Sequence, residues 1–257
     1  MPAIPEREAG ASVPASVCMA TYNGERFLPE QLDSILRQLR PEDELVVVDD
    51  ASVDGTFALL SEIDDPRVVI HRNPENLGYV RTFERAMTLA SRDVLLLSDQ
   101  DDIWIDGRRD RLVAATGDAA VVASDLLLLG SERPLTSPLT GRPWRLSPGG
   151  ERHLRNELLM LAGNAPYFGC AMALRRDALE LVLPFPSYLD ESHDLWIATV
   201  GNATGAMRHM SEPTILRRIH DSNTSPSRPR GVAAALRSRV LLLRLWREAA
   251  RRRGRSR

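Results

Sequence analysis

Four short apolar runs in the first hundred residues constrain this chain more than any other feature. Residues 16–20 (Ser-Val-Cys-Met-Ala), 44–49 (Glu-Leu-Val-Val-Val-Asp), 68–71 (Val-Val-Ile-His) and 93–98 (Asp-Val-Leu-Leu-Leu-Ser) are too short to span a membrane. They lack the polar alternation of a strand with one wet face, so they read as buried parallel strands. Helical periodicity fills the gaps. Residues 29–39 place Leu32, Ile35, Leu36 and Leu39 on one face, with Pro29 in the first turn. Residues 56–63 follow Asp54 as a cap, and 79–90 carry Val80, Phe83 and Met87 on one side. Strand and helix in alternation predict an α/β fold, a mostly parallel, Rossmann-like central sheet with helices on both faces.

The regular pattern continues through a helix at 108–116 and a strand at 119–129, then breaks. Residues 130–150 hold prolines, glycines and serines around Trp144 and read as a long loop, a common place for function. Structure resumes near His153, with a strand at 169–174, a helix at 192–203 and two short strands at 206–210 and 215–219. The expected organisation is a flexible leader at 1–14, one domain over 15–225 with halves at 15–104 and 105–225, and a basic tail at 226–257. That tail carries nine arginines and one acid, Glu248, between Gly231 and Arg257. Val232, Leu236, Val240, Leu243 and Trp246 recur in it at helical spacing. A basic amphipathic helix of this kind lies on an anionic membrane surface or docks as an ordinary terminal helix; the sequence leaves both open.

Composition excludes several classes. The net charge of −2 argues against a nucleic-acid binder. Cys18 and Cys170 both sit in apolar segments and read as core thiols in a reducing compartment. The first residues, Met-Pro-Ala-Ile-Pro-Glu-Arg-Glu, lack the apolar core of a signal peptide, and no uncharged apolar run reaches membrane-spanning length. A cytoplasmic location follows as the expectation, with the tail as a contact to the inner face of the plasma membrane.

The chemistry sits at the strand ends. The first run ends in Thr21-Tyr22-Asn23-Gly24, the second in Asp49-Asp50-Ala51-Ser52-Val53-Asp54-Gly55-Thr56, the third leads to Asn76-Leu77-Gly78, and the fourth ends in Asp99-Gln100-Asp101-Asp102. Ligands bind at the carboxyl ends of strands in open α/β sheets. Three crowded carboxylates repel one another unless a cation sits among them, and oxygen ligands select a hard divalent ion. A solvated, helix-capping turn is the plain alternative.

Taken together, Ala20–Gly24, Val47–Thr56, Asn76–Gly78 and Ser98-Asp99-Gln100-Asp101-Asp102-Ile103-Trp104 resemble the family 2 glycosyltransferases. The likeness extends through Gly169-Cys170-Ala171-Met172, His193-Asp194-Leu195-Trp196 and Arg218-Ile219-His220-Asp221-Ser222-Asn223. The Asp-Gln-Asp-Asp-Ile-Trp variant is similar to the rhamnosyltransferase-like branch. The resemblance implies a GT-A fold, a nucleotide-diphosphate sugar donor, and inversion at the anomeric carbon. It implies Mg2+ or Mn2+ as cofactor and a glycan or lipid-linked acceptor in cell-surface polysaccharide synthesis. A non-catalytic sugar-nucleotide or membrane-surface binding module is the competing class.

By the same resemblance, Thr21, Tyr22 and Asn23 line the nucleotide pocket. Asp50, with Asp49, accepts from the base, and Gly78 and Arg81 adjoin the phosphates. Glu84 stands where relatives often carry asparagine. Asp99 and Asp101 fill the DxD positions: Asp101 ligates the metal directly, Asp99 contacts the sugar or ribose and counts with the metal ligands, and Asp102 stands behind. His220 and Asn223 belong to a late segment that reaches the diphosphate or the metal. Asp194 matches the general base, at a helix amino terminus that favours its ionised form. Asp190 and Glu191 are its rivals, and His193 is a neighbour. Trp104 and Trp196 read first as packing residues and second as sugar platforms.

Overall fold

The computed structural model describes residues 13–220 and 232–255. Nearly all of the leader, Asp221, Ser222, Asn223 and the first part of the tail lie outside the described residues. Eight strands form one sheet. In chain order the elements are β1 (Ala15–Thr21), α1 (Leu28–Leu36), β2 (Glu44–Asp49), α2 (Thr56–Ser61), β3 (Val68–Arg72), α3 (Tyr79–Leu89), β4 (Val94–Ser98), β5 (Ile103–Trp104), α4 (Arg108–Ala115) and β6 (Val121–Leu128). They are followed by α5 (His153–Ala162), β7 (Met172–Arg175), α6 (Leu179–Val182), α7 (His193–Thr204), β8 (Met207–Arg217) and α8 (Val232–Arg255).

The strand order is β3-β2-β1-β4-β7-β6-β8-β5. The pairs β1–β2, β1–β4, β2–β3 and β6–β8 are parallel, whereas β7 runs against both β4 and β6, and β5 runs against β8. The sheet is therefore mostly parallel, as the apolar runs predict. Successive side chains point to opposite faces of a strand. Val94 and Leu96 thus join a core with α1, α2 and α4, while Leu95 and Leu97 join one with α3, α5, α6, α7 and α8. Both faces are covered over β1, β2 and β4, which is why these strands carry no polar alternation, whereas β3, expected to be buried, is an edge strand with Val69 40% exposed.

The structure corrects several sequence boundaries. The two short strands expected at 206–210 and 215–219 are one strand, β8, whose pairing with β6 shifts register around Asp125, opposite Pro213. Proline has no N–H for the ladder, and a bulge is where a strand tolerates it. The polar stretch Ser211-Glu212-Pro213 reads as a turn for the same reason. The strand expected from Gly169 starts at Met172, after a 3-10 turn over Gly169–Ala171. The two-residue strand β5 and the short α6 escape periodicity because neither is long enough to show a period.

The chain runs from β1 outward to β2 and β3, then returns to place β4 on the other side of β1. Strand order thus reverses between β1 and β4, and such a switch point opens a crevice at the carboxyl ends of the strands. Asp49, Thr21 and Ser98 close those strands, and the acidic segment begins one residue later.

Candidate active site

The crevice is built from backbone tied down by polar side chains. Beyond β1, the Gln100 side chain straddles Tyr22: its Oε1 accepts from the Tyr22 N–H at 2.9 Å, and its Nε2 donates to the Tyr22 carbonyl at 3.0 Å. This amide bridges the two strand ends on either side of the switch point. It also explains Gly24, where a Cβ would come within 2.3 Å of the Gln100 Oε1. Asn23 has a positive φ of 48°, a conformation asparagine tolerates better than most residues. Its N–H donates to Ser52 Oγ at 3.0 Å and its Oδ1 accepts from the Val53 N–H at 2.9 Å, lacing β1's end to the loop after β2. Tyr22 remains half-exposed in the crevice.

Asp49 and Asp50 are both buried. Asp49 accepts from the Ser52 N–H at 3.1 Å and faces Arg72 Nε at 3.3 Å, with Thr21 Oγ1 at 3.4 Å from its other oxygen. Asp50 accepts from Asn73 Nδ2 at 2.6 Å, the Leu77 N–H at 2.9 Å and the Gly78 N–H at 2.9 Å. In the structure, then, Asp50 shapes the loop that leads into α3. A carboxylate has about four acceptor sites, and these three donors occupy three of them. Gly78 caps α3 with a φ of 81°, which excludes most side chains. Asp54 accepts from the Thr56 N–H at 3.0 Å at the start of α2.

Arg81 is engaged elsewhere than at an open phosphate site. Its guanidinium bonds Glu84 at 2.7 Å and the carbonyls of Pro186, Ser187 and Leu189 at 3.0, 3.2 and 3.3 Å. Glu84 also accepts from the Phe185 N–H at 2.7 Å. The pair clamps the loop that feeds α7, and Glu84 thereby finds a role its departure from the family pattern left unexplained.

The acidic segment is supported from beneath. Gln31 Nε2 donates to Ser98 Oγ at 2.7 Å and to the Asp99 carbonyl at 2.8 Å, and Trp104 Nε1 donates to Ser98 Oγ at 3.2 Å. The fully buried Arg108 donates to the carbonyls of Leu97 at 3.0 Å and Cys170 at 2.6 Å and lies over the Trp104 ring. Burial lowers its pKa to about 10, against the attraction of Asp102 and Asp99.

One carboxylate oxygen of Asp99, one of Asp102 and Cys170 Sγ lie within 4.8 Å of one another. At that separation two ionised carboxylates repel by about 3 kcal/mol with an effective dielectric constant near 20. Burial, reinforced by Asp102, Asp101 and Asp194 and opposed by Arg217, holds Asp99 well above the usual carboxylate range. Burial and then Asp101 push Asp102 up to about 6. The Cys170 thiol is raised for the same reasons, burial first. Asp102 Oδ1 accepts from the Arg218 N–H at 3.0 Å, whereas its buried Oδ2 has no protein partner. Asp101 Oδ2 lies 2.7 Å from His220 Nε2, and the His220 ring packs 4.6 Å from that of Phe27. Crowded acids and an orphaned buried oxygen suit a divalent cation by charge and by donor type.

Asp194 is the second residue of α7 and accepts from the Leu195 N–H at 2.8 Å. Its charge adds, after those of Asp102 and Asp101, to the upward shift of the Asp99 carboxyl. Asp190 and Glu191 are exposed on the preceding loop. His193 is buried among aromatics, 4.4 Å from the Phe83 ring, and burial lowers its pKa to about 4. Trp104 and Trp196 are fully buried packing residues.

The sequence missed Gln31, Asn73 and Arg108, and it marked Gln100 and Arg218 within motifs without giving either a role. One signal was available: Gln31 interrupts the apolar face formed by Leu28, Leu32 and Ile35, and a polar residue there needs a buried partner.

No helix among the described residues is long and apolar enough to cross a membrane. The chain is similar to several curated proteins. It is 26% identical over 220 residues to glycosyltransferase alr2836 of Nostoc sp., covering 82% of this chain and 66% of that one. It is 36% identical over 93 residues to the dTDP-rhamnosyl transferase RfbG of Shigella flexneri, covering 34% and 32% of the two chains. It is 30% identical over 99 residues to the Escherichia coli UDP-Glc:alpha-D-GlcNAc-diphosphoundecaprenol beta-1,3-glucosyltransferase WfgD, covering 38% and 39%. The chain thus spans about two thirds of the Nostoc protein's length and about a third of the other two. Among solved structures, S. aureus TarS 1-349 in complex with UDP-GlcNAc has the same fold, with a TM-score of 0.70 at 18% identity over 91% of this chain and 66% of TarS 1-349. The model of Glycosyl transferase family 2 matches residues 16–183, well over half of the sequence. The chain belongs to the family 2 glycosyl transferases.

Proposed function

We propose that this chain transfers a sugar from a nucleotide-diphosphate donor to a glycan or lipid-linked acceptor, with inversion, during cell-surface polysaccharide synthesis. The observation that supports the reading is the crowding of Asp99 and Asp102 at the end of β4, beside Asp101, with Asp194 at the start of α7 close enough for its charge to act on Asp99. One side of the crevice can hold a charged leaving group and the other can take a proton. Rhamnose is the first sugar to test, since one relative is a dTDP-rhamnosyl transferase, and relatives named for GlcNAc-diphosphoundecaprenol make a lipid-linked acceptor the first acceptor class.

The nucleotide lies along the ends of β1 and β2. Tyr22 offers a stacking surface, Thr21 and Asn23 shape the wall, and Asp50 and Asp49 face the base. Asp101 and Asp99 would hold Mg2+ or Mn2+, with His220, which now lies against Asp101, as a further ligand. Bound there, the ion neutralises charge on the departing diphosphate.

The bond changes follow from these positions. Asp194 removes the acceptor hydroxyl proton as that oxygen attacks the anomeric carbon. The bond from that carbon to the phosphate oxygen breaks on the opposite face, and its electron pair leaves with the nucleoside diphosphate. The start of α7 stabilises the Asp194 carboxylate before transfer. The Arg81–Glu84 clamp fixes the loop before that helix, so it sets where the carboxylate stands.

The test is a donor screen by thermal shift and nucleoside diphosphate release, with dTDP-rhamnose, UDP-sugars and GDP-sugars, each with and without Mn2+. One donor should raise the melting temperature and turn over, both dependent on the metal. Asp194→Asn should bind that donor and lose transfer. Full transfer by that variant refutes the assignment of the base, and a wild-type chain that binds donors without turnover with any acceptor tried favours the binding-module reading.

A further inference from the structure

The stripe the sequence marks on the tail is not the face that docks. Leu242, Leu245 and Ala249 of α8 are 4%, 0% and 4% exposed and join the core with α7. Leu236, Val240, Leu243 and Trp246 are 63%, 58%, 45% and 46% exposed. Leu245 comes nine residues after Leu236, so at about 100° per residue the two point in opposite directions. The helix therefore has two apolar sides, one used for packing and one facing outward.

The docked side is also pinned by polar contacts. Arg239 donates to the Ala162 carbonyl, Arg252 to the Leu181 and Pro184 carbonyls, and Arg253 to the Ala203 carbonyl. The outward side has a different surround. Arg237, Arg244 and Arg251, spaced by seven, run along one flank of the stripe, and Arg247 lies within it; all four are exposed. Helix α8 holds eight arginines against one glutamate, a net of +7 in a chain whose total is −2.

We infer that the outward face of α8 seats on an anionic lipid bilayer, with Leu236, Val240, Leu243 and Trp246 entering the interface and Arg237 and Arg247 meeting the headgroups, flanked by the exposed Arg244, which also stacks on Tyr188, and Arg251, which also pairs with Glu248. Charge decides the occupant. A second copy of this face would bring arginines against arginines, whereas anionic headgroups complement them. The helix lies on the membrane and does not cross it, since its inner side is already packed on the domain. The consequence is positional. Arg244 stacks 3.8 Å over the Tyr188 ring, in the loop that leads to Asp194, so a seated α8 holds the acceptor side of the crevice close to the bilayer.

The experiment is co-sedimentation of the full chain with phosphatidylcholine vesicles, alone or with 30% phosphatidylglycerol, at low and high NaCl. The expected result is at least tenfold tighter binding to the anionic vesicles, reversed by high salt. Val240→Glu with Leu243→Glu should weaken it at least tenfold without moving the melting temperature, because both side chains are exposed. Equal binding to both vesicle types, or a double variant that binds as wild type, overturns the inference. So does a dimer that the double variant splits in the absence of vesicle binding, which would assign the face to a second copy. The readout is binding alone, so a chain found to transfer no sugar would leave it intact.

Discussion

Glu157 makes the stability of this protein depend on pH in a way that can be worked from the structure. It lies on α5, 7% exposed, and its buried Oε1 has no protein partner. Burial alone pushes its pKa from 4.5 to about 8. A carboxyl whose pKa is raised by folding binds its proton more tightly in the native state, so its contribution is greatest below pH 4.5 and is lost as pH rises to 8. Each pH unit across that gap is worth about 1.4 kcal/mol. From pH 5 to pH 8, allowing for partial titration at both ends, native stability should fall by about 3 kcal/mol through this group. Glu157→Gln keeps the shape and removes the charge. Urea unfolding of both proteins should therefore give similar stabilities at pH 5 and a variant more stable by about 3 kcal/mol at pH 8. The melting temperatures at pH 8 should then differ by on the order of 10 °C. A difference between the two proteins that stays flat within about 1 kcal/mol from pH 5 to pH 8 would show that water or a partner solvates the carboxylate, and would refute the reasoning.

Three further predictions concern the supports of the site. Asp43 is buried and bonds Arg109 at 2.7 Å while accepting from the Ala15 and Arg40 N–H groups at 2.8 Å; Asp43→Asn leaves the buried guanidinium only the exposed Asp110, 3.0 Å away, as a charge partner and should cost about 3 kcal/mol in urea unfolding. Glu84→Gln loosens the clamp on the loop before α7 and should lower the transfer rate about tenfold, roughly 1.4 kcal/mol, with donor affinity within twofold by calorimetry; an equal loss in donor affinity would place Glu84 at the donor instead. Gln100→Ala removes both bonds to Tyr22 and should weaken donor binding by about 1–3 kcal/mol, with the melting temperature changed little, because the cut bonds lie at an exposed crevice.

The strands were legible because their signal is local. A strand buried on both faces must be apolar throughout, and a loop at a strand end must supply glycine, asparagine or aspartate, so Val94–Ser98 followed by Asp99–Asp102 announces both the sheet and the site. The role proposed for Asp194 came only through resemblance, since an acid in the first turn of a helix is ordinary on its own. The tail's apolar stripe was legible as a pattern, but its use was not. Periodicity shows that Leu236, Val240, Leu243 and Trp246 share a face; it does not say which face of α8 meets α7.

The sequence by itself determined the alternation of strands and helices, the acidic and glycine-rich strand ends, and the family. Tertiary structure alone decided that Arg81 holds the loop before α7, that Gln31 and Arg108 carry the acidic segment from below, and that Asp101 pairs with His220. Apart from the Arg108–Leu97 bond, which spans eleven positions, each of these joins residues more than sixty positions apart. Periodicity and turn chemistry are set by neighbours along the chain, whereas a hydrogen bond between distant residues exists only once the packing of the sheet has brought them together.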